Sequence, residues 1–129
     1  TRTATAAQTS ENLLARCSDV EAIFPPNEST AFGCMRALQD HGLAGKLIHI
    51  GFDTSKKLIE ALEKREILGL VIQDPVQMGY KSVEIAASYL RGKPYEKFVD
   101  TGVILATPEN MNEPRMKILL VPDLSILER

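Results

Sequence analysis

The sequence has no tryptophan and only two cysteines, and aromatic residues make up 5% of it. Few stacking platforms for bases or sugars are therefore available, and two cysteines cannot build a disulfide scaffold. The chain also lacks the run of roughly 20 apolar residues that a transmembrane helix needs. Fifteen basic residues against seventeen acidic residues give a net charge of -2. With this balance we expect no positively charged surface that would bind nucleic acid and no run of basic residues that would bind a membrane.

What is present indicates one soluble globular domain. The chain has 129 residues, of which 44% are hydrophobic and 25% charged. This length and composition are enough to bury a hydrophobic core without disulfides or a structural metal. The stretch Thr1–Ala7 has no apolar h-region, so we expect no signal peptide in this chain as it stands. Cys17 and Cys34 fall in separate predicted helices without metal-ligand spacing. They are interpreted as free buried thiols, and a disulfide between them stays open.

Apolar residues alternate between helical periodicity and short continuous runs along the chain. The predicted strands are 21–24, 46–52, 68–72 and 98–106. The predicted helices are one that ends within 12–16, then 29–41, 55–64 and 75–91. A tail that prolines interrupt follows over 107–129. Strands and helices that alternate at such short connections predict an α/β fold with a parallel sheet and right-handed crossovers.

Polar side chains follow three of the predicted strands. Asn27 comes after the first strand, Asp53 after the second and Gln73 after the third. Ligands of open α/β sheets bind at the carboxyl ends of the strands, so we expect these three side chains at one rim. A carboxylate accepts hydrogen bonds from two vicinal hydroxyls, and amides both donate and accept. The set suits a neutral polyol such as a sugar, and it suits phosphate poorly because no cation follows these strands.

An alternative interpretation is that some of these residues only cap helices. Asn27 and Asp53 each precede a predicted helix, and each alone fits an N-cap as well as a ligand contact. Gln73 does not, because Asp74 is the better cap for a helix that opens at Pro75. The three residues together at one rim favour a binding site for a polar ligand.

No catalytic or metal-binding constellation is present. The sequence has no Gly-rich phosphate loop, no nucleophile elbow and no metalloprotease motif. His41 lies at a helix end, where a cation favours the dipole. His49 lies within a strand and has no partner at metal-ligand spacing. We therefore expect no enzymatic activity, no metal and no cofactor.

The residues of this rim also carry a resemblance to a known family. The segment Ala22–Leu38, with Ile50–Asp53 and Gln73–Tyr80, resembles the carboxyl-terminal part of sugar-type periplasmic binding proteins. The ribose-binding proteins of ABC importers are the type that it resembles most. The segment Asp100–Asn110 is similar to the way such proteins end, so the resemblance covers about residues 12–110.

The resemblance implies a parallel-sheet sandwich that forms a partial lobe of a type I periplasmic binding protein fold. It also implies the function, which is monosaccharide binding by the solute-binding component of an ABC transporter, exported to the periplasm and served by an ABC permease. In that family the second lobe offers an Asn, an Asp and a Gln at strand ends. These positions match Asn27, Asp53 and Gln73. Glu28 departs from the family pattern, which more often has Asp there.

The domain expectation also follows from the resemblance. Residues 1–129 would be a single α/β domain, the truncated second lobe of a two-lobe protein, in which the helix over 75–91 would pack in the first lobe. Alone, this helix would expose its apolar stripe, and a strand edge would stay unpaired. We therefore expect the chain to self-associate, through exchange of this helix between copies.

The alternative function is the effector-binding domain of a lactose-repressor-type transcription regulator, which resembles the same fold. Repressors of that type usually run on from the Asp to a short Thr-Thr-Val-like strand. Here a charged helix is followed by the segment 65–75, which contains the Gln and the Pro. This arrangement is similar to the transport branch. The sequence therefore favours transport.

Overall fold

The structure is a computed structural model that describes residues 2–17, 19–123 and 125. Its helices are α1 (Arg2–Arg16), α2 (Glu28–Asp40), α3 (Lys56–Glu63), α4 (Pro75–Leu90) and α5 (Pro114–Leu120). Its strands are β1 (Ala22–Ile23), β2 (Ile48–Phe52), β3 (Gly69–Ile72) and β4 (Ile104–Ala106). The predicted α/β class is confirmed. Residues 124 and 126–129 of the predicted tail lie outside the described residues.

The sheet has the strand order β1-β2-β3-β4, with β1–β2 and β2–β3 both parallel. Ala22 pairs with Ile48, and Ile50 pairs with Gly69. Parallel neighbours require crossover connections, which α2 and α3 provide. The carboxyl ends of β1, β2 and β3 therefore lie along one edge of the sheet. This edge is where the sequence places its polar side chains.

Two sequence predictions about the last quarter of the chain are wrong. The final strand covers only Ile104–Ala106, because Phe98 and Val103 are 85% and 60% exposed and take no part in the sheet. The tail contains α5, which the sequence interpretation missed. Its proline lies at the first helical position, where a missing N–H costs nothing, and Met116 and Leu120 are buried.

The chain divides into two compact units. The first unit contains the chain up to Ile72 and again from Leu105 onward. Its core includes a buried cluster of Cys34, Leu38 and Leu47. Helices α1 and α2 also approach each other closely, since a Cβ added at Gly33 would lie 2.7 Å from the Cβ of Ala6.

The second unit covers Gln73–Ile104 and contains α4. None of the residues of α4, all of which the structure describes, is buried. Its apolar residues recur at helical spacing and are 67%, 68%, 71% and 82% exposed at Val76, Tyr80, Val83 and Leu90. The helix therefore carries an exposed apolar stripe, which we call the α4 stripe. Within the described residues, no helix combines the length and hydrophobicity needed to cross a membrane.

Candidate functional site

A cavity of about 900 Å³ lies in the first unit, at the carboxyl end of β1. One face of α1, the end of β1, the loop that enters α2 and the residue after β2 line this space, which we call the rim cavity. Asn27 and Asp53 are both in its lining. Two of the three predicted site residues thus meet in one cavity. Gln73 directly follows β3, is half-buried and is the first residue of the second unit.

Asn27 is the N-cap of α2, so the capping interpretation holds for this residue. Its Oδ1 accepts hydrogen bonds from the backbone N–H of Thr30 at 3.0 Å and from the Ser29 hydroxyl at 3.0 Å. The Thr30 hydroxyl in turn accepts from the backbone N–H of Asn27 at 3.3 Å, which completes a capping box. Because these bonds occupy Oδ1, the group that Asn27 offers a ligand is the Nδ2 amide, a donor.

Asp53 is not a helix cap, so the capping interpretation is wrong for this residue. The N-cap of α3 is Ser55, two residues later. Asp53 instead adopts φ 61, in the left-handed region. This region costs most non-glycine residues about 1–2 kcal/mol, and Asp and Asn tolerate it better than the others. The half-buried carboxylate of Asp53 is therefore held in the rim cavity by a backbone that local preferences disfavour. Such strain is typical of functional positions.

The residues around Gln73 behave as the sequence predicts. Asp74 is the N-cap of α4, and its carboxylate accepts a hydrogen bond from the backbone N–H of Gln77 at 2.9 Å. Pro75 occupies the first helical position. The cap is thus provided by Asp74, and the Gln73 side chain is not needed for it.

The rim cavity contains two contributions that sequence reasoning missed. Phe24 lines it, is 55% exposed, and makes an edge-to-face contact with Phe52 at 6.3 Å between ring centroids. The first turns of α1 also line it, with Arg2 and Thr5. The strand ends alone do not indicate that α1 lines the cavity. The helical spacing of its polar residues was the available signal.

The histidines and cysteines do not form a metal site. His49 is fully buried, neither ring nitrogen has a hydrogen-bond partner among the described residues, and burial lowers its pKa to about 4. The described residues contain no group of three or more His, Cys, Asp and Glu side chains able to hold a metal ion. Both thiols are free, and only Cys34 is buried. The expectation of two buried thiols is wrong for Cys17, which directly follows the last residue of α1 and is exposed.

The family comparison covers most of the chain. The sequence profile of the periplasmic binding protein domain matches residues 2–94. The ribose import binding protein RbsB of Salmonella typhimurium is 36% identical over 83 residues, which are 64% of this chain and 28% of that protein. The RbsB protein of Bacillus subtilis is 31% identical over 97 residues, which are 75% of this chain and 31% of that protein. The chain thus spans less than a third of these relatives.

Solved structures with the same fold are also known. An ABC transporter solute-binding protein from Agrobacterium vitis with bound D-fucose has a TM-score of 0.85 and 39% identity, over 92% of this chain and 41% of that one. A carbohydrate transporter solute-binding protein from Agrobacterium radiobacter in complex with D-arabinose has a TM-score of 0.85 and 32% identity, over 92% and 40%. Profile, relatives and fold agree: the chain belongs to the periplasmic binding protein domain family, is ribose-binding-protein-like, and forms part of the type I fold.

Proposed function

We propose that this chain binds a monosaccharide as part of the solute-binding component of an ABC importer. The observation that carries the proposal is the joint presence of Asn27 and a strained Asp53 in one cavity at the carboxyl end of parallel strands. The relatives named for ribose import and the similar structures with bound D-fucose and D-arabinose support a sugar as the ligand. No enzymatic step is part of this function.

Each residue has a chemical role in the proposed site. The carboxylate of Asp53 accepts hydrogen bonds from two vicinal hydroxyls of the sugar, and the Nδ2 of Asn27 donates one. Gln73, which follows β3 directly, is the third proposed contact and both donates and accepts. With so few polar contacts, we expect a dissociation constant on the order of millimolar or weaker.

A titration followed by amide chemical shifts tests this proposal at such affinities. With D-ribose and D-galactose as probes, the amide signals of Phe24, of residues 27–30 and of residues 51–54 are expected to shift and saturate. Asp53→Ala is expected to abolish the shifts. Asp40→Ala removes an equal charge from the exposed end of α2 and is expected to leave them unchanged. Equal titrations of the parent and of Asp53→Ala would remove Asp53 from the site, and an unchanged parent spectrum would refute sugar binding.

The proposed role also defines the partners and the compartment. A solute-binding protein closes around its ligand and presents the closed form to a membrane permease. The protein would act in the periplasm, as the family description states for its members. A net charge of -2 gives it no attraction for nucleic acid. Fractionation of the native cells tests the compartment, because a regulator of the lactose-repressor type would stay in the cytoplasm.

We further propose that the α4 stripe pairs with the same helix of a second copy. The stripe repeats at spacings of four and three residues through Val76, Tyr80, Val83 and Ala87, the pattern of a helix that pairs along a seam. Gly79 borders the stripe, and a Cβ added there would meet no other atom within 4 Å, so a second helix can approach closely. In the proposed pair each copy contributes the same face of α4, as a two-fold interface requires.

A further inference from the structure

One face of α1 forms a wall of the rim cavity. Arg2, Thr5 and Thr9 are spaced three and four residues apart, so they share one side of the helix, and all three line the cavity that Asn27 and Asp53 also line. We propose that Arg2 is a further sugar-contacting residue, which donates hydrogen bonds to acceptor oxygens of the ligand. This inference rests on the proposed function.

The hydrogen-bonding balance of the cavity calls for such a donor. Each sugar hydroxyl has one hydrogen to donate and two lone pairs to satisfy. The carboxylates of Asp53 and Glu28 only accept, and the Oδ1 of Asn27 is already occupied by its capping bonds. These groups satisfy the hydrogens of a polyol, while the Nδ2 of Asn27 and the hydroxyl groups of the lining donate to part of its lone pairs. A guanidinium group has five N–H donors in a fixed fork, and Arg2 is the one cation among the described residues that line the cavity.

The backbone next to Arg2 packs tightly against α2, whereas the side chain of Arg2 is exposed. A Cβ added at Gly33 would lie 2.8 Å from the backbone nitrogen of Ala7 and 2.8 Å from the carbonyl oxygen of Thr3. The first two turns of α1 therefore rest directly on the backbone of α2, and only glycine permits this approach. Ser10, one turn farther along, is 7% exposed. The wall is thus a packed element rather than a loose helix end.

The side-chain Nε–H signal of Arg2 provides a direct test during titration with D-ribose and D-galactose. We expect this signal to shift and to saturate at the same sugar concentration as the backbone amide of Asp53. Arg2→Ala is expected to weaken binding about tenfold, and Arg2→Lys to recover part of the loss, because a lysine keeps the charge and loses the fork. Arg36→Ala, which removes an exposed arginine of α2, is the matched control and should bind as the parent does.

Two outcomes would overturn the inference, and they differ. If the Asp53 amide shifts and saturates while the Arg2 Nε–H signal stays in place, the sugar site stands and Arg2 does not contact its ligand. If neither signal moves, the proposed sugar site is absent, and the inference falls with it. Gly33→Ala gives a second check, because it displaces α1, and Arg2 with it, while it replaces none of the side chains proposed to contact the sugar; it should weaken binding as Arg2→Ala does.

Discussion

The backbone N–H of Asp53 donates a hydrogen bond to the carbonyl oxygen of Val71 at 2.8 Å. This bond links the end of β2 to β3 and holds Asp53 at φ 61, in the left-handed region. The adjacent strand thus stabilises a conformation that an aspartate on its own disfavours. Strain that is supported by a neighbouring strand and borne by a residue in the cavity lining is what a binding position would show.

Asp53→Gly is therefore expected to stabilise the fold while it abolishes sugar binding. Glycine adopts positive φ without a steric cost, so the free energy of unfolding should rise by about 0.5–1 kcal/mol. Urea denaturation measures the stability, and a titration with D-ribose measures the binding. Asp53→Asn is the comparison for stability, because asparagine tolerates the same backbone, while it loses the charge and exchanges one acceptor oxygen for an NH2 donor. A glycine variant that is less stable than the parent would show that the Asp53 side chain serves the fold.

Asn27→Asp should separate the two roles of Asn27. Aspartate caps a helix as well as asparagine does, so the stability should stay within about 0.5 kcal/mol of the parent. The variant replaces the Nδ2 donor with a second acceptor, so affinity for D-ribose should fall about tenfold. Asn27→Ala should instead lower the stability by about 1 kcal/mol, because it removes the cap. Unchanged affinity in Asn27→Asp would leave Asn27 with the capping role alone.

His49 predicts a loss of stability in mild acid. Burial lowers its pKa in the folded protein to about 4, below the ordinary value of 6.5. The unfolded chain binds the proton more tightly, so this contribution is fully present above pH 6.5 and is lost as the pH falls toward 4. Its full size is on the order of 3 kcal/mol. Denaturation midpoints measured in urea between pH 7 and pH 4 test this.

His49→Leu should remove this part of the pH dependence. Leucine has no group to protonate and leaves no buried nitrogen without a partner, so the variant should be at least as stable as the parent at pH 7. His41→Gln changes an exposed histidine at the end of α2 and serves as the control. A parent whose midpoint stays constant from pH 7 to pH 4 would show that His49 is accessible to protons without unfolding.

The sequence predicted those parts of the fold that hydrophobic periodicity determines. A continuous apolar run marked β3, a largely apolar segment marked β2, and Asp74 with Pro75 marked the start of α4. Periodicity failed where apolar residues stay in solvent, as at Phe98, which is 85% exposed. It also failed at Pro114, which opens a helix instead of breaking one. The sequence does not distinguish a proline that begins a helix from one that ends it.

The candidate site shows a similar division. Residues at strand ends could be chosen from the sequence because parallel strands bring their ends to one edge. The positive φ of Asp53 could not be foreseen, since it occurs where the residue also bonds to Val71 in another strand. Arg2 was missed because its place in the cavity depends on how closely α1 and α2 pack at Gly33. Such tertiary contacts leave no local pattern.

The α4 stripe predicts a self-associating protein whose assembly one charge can disrupt. Val83 is 71% exposed and lies in the middle of the stripe, so Val83→Glu would place a carboxylate in the seam of each pair. Burial of an unpaired charge is costly, and the variant should therefore be monomeric at concentrations where the parent associates. Ser82→Glu adds the same charge one residue away, off the stripe, and should associate as the parent does. Sedimentation velocity at micromolar concentration distinguishes these states, and a parent that sediments as a monomer would refute pairing through α4.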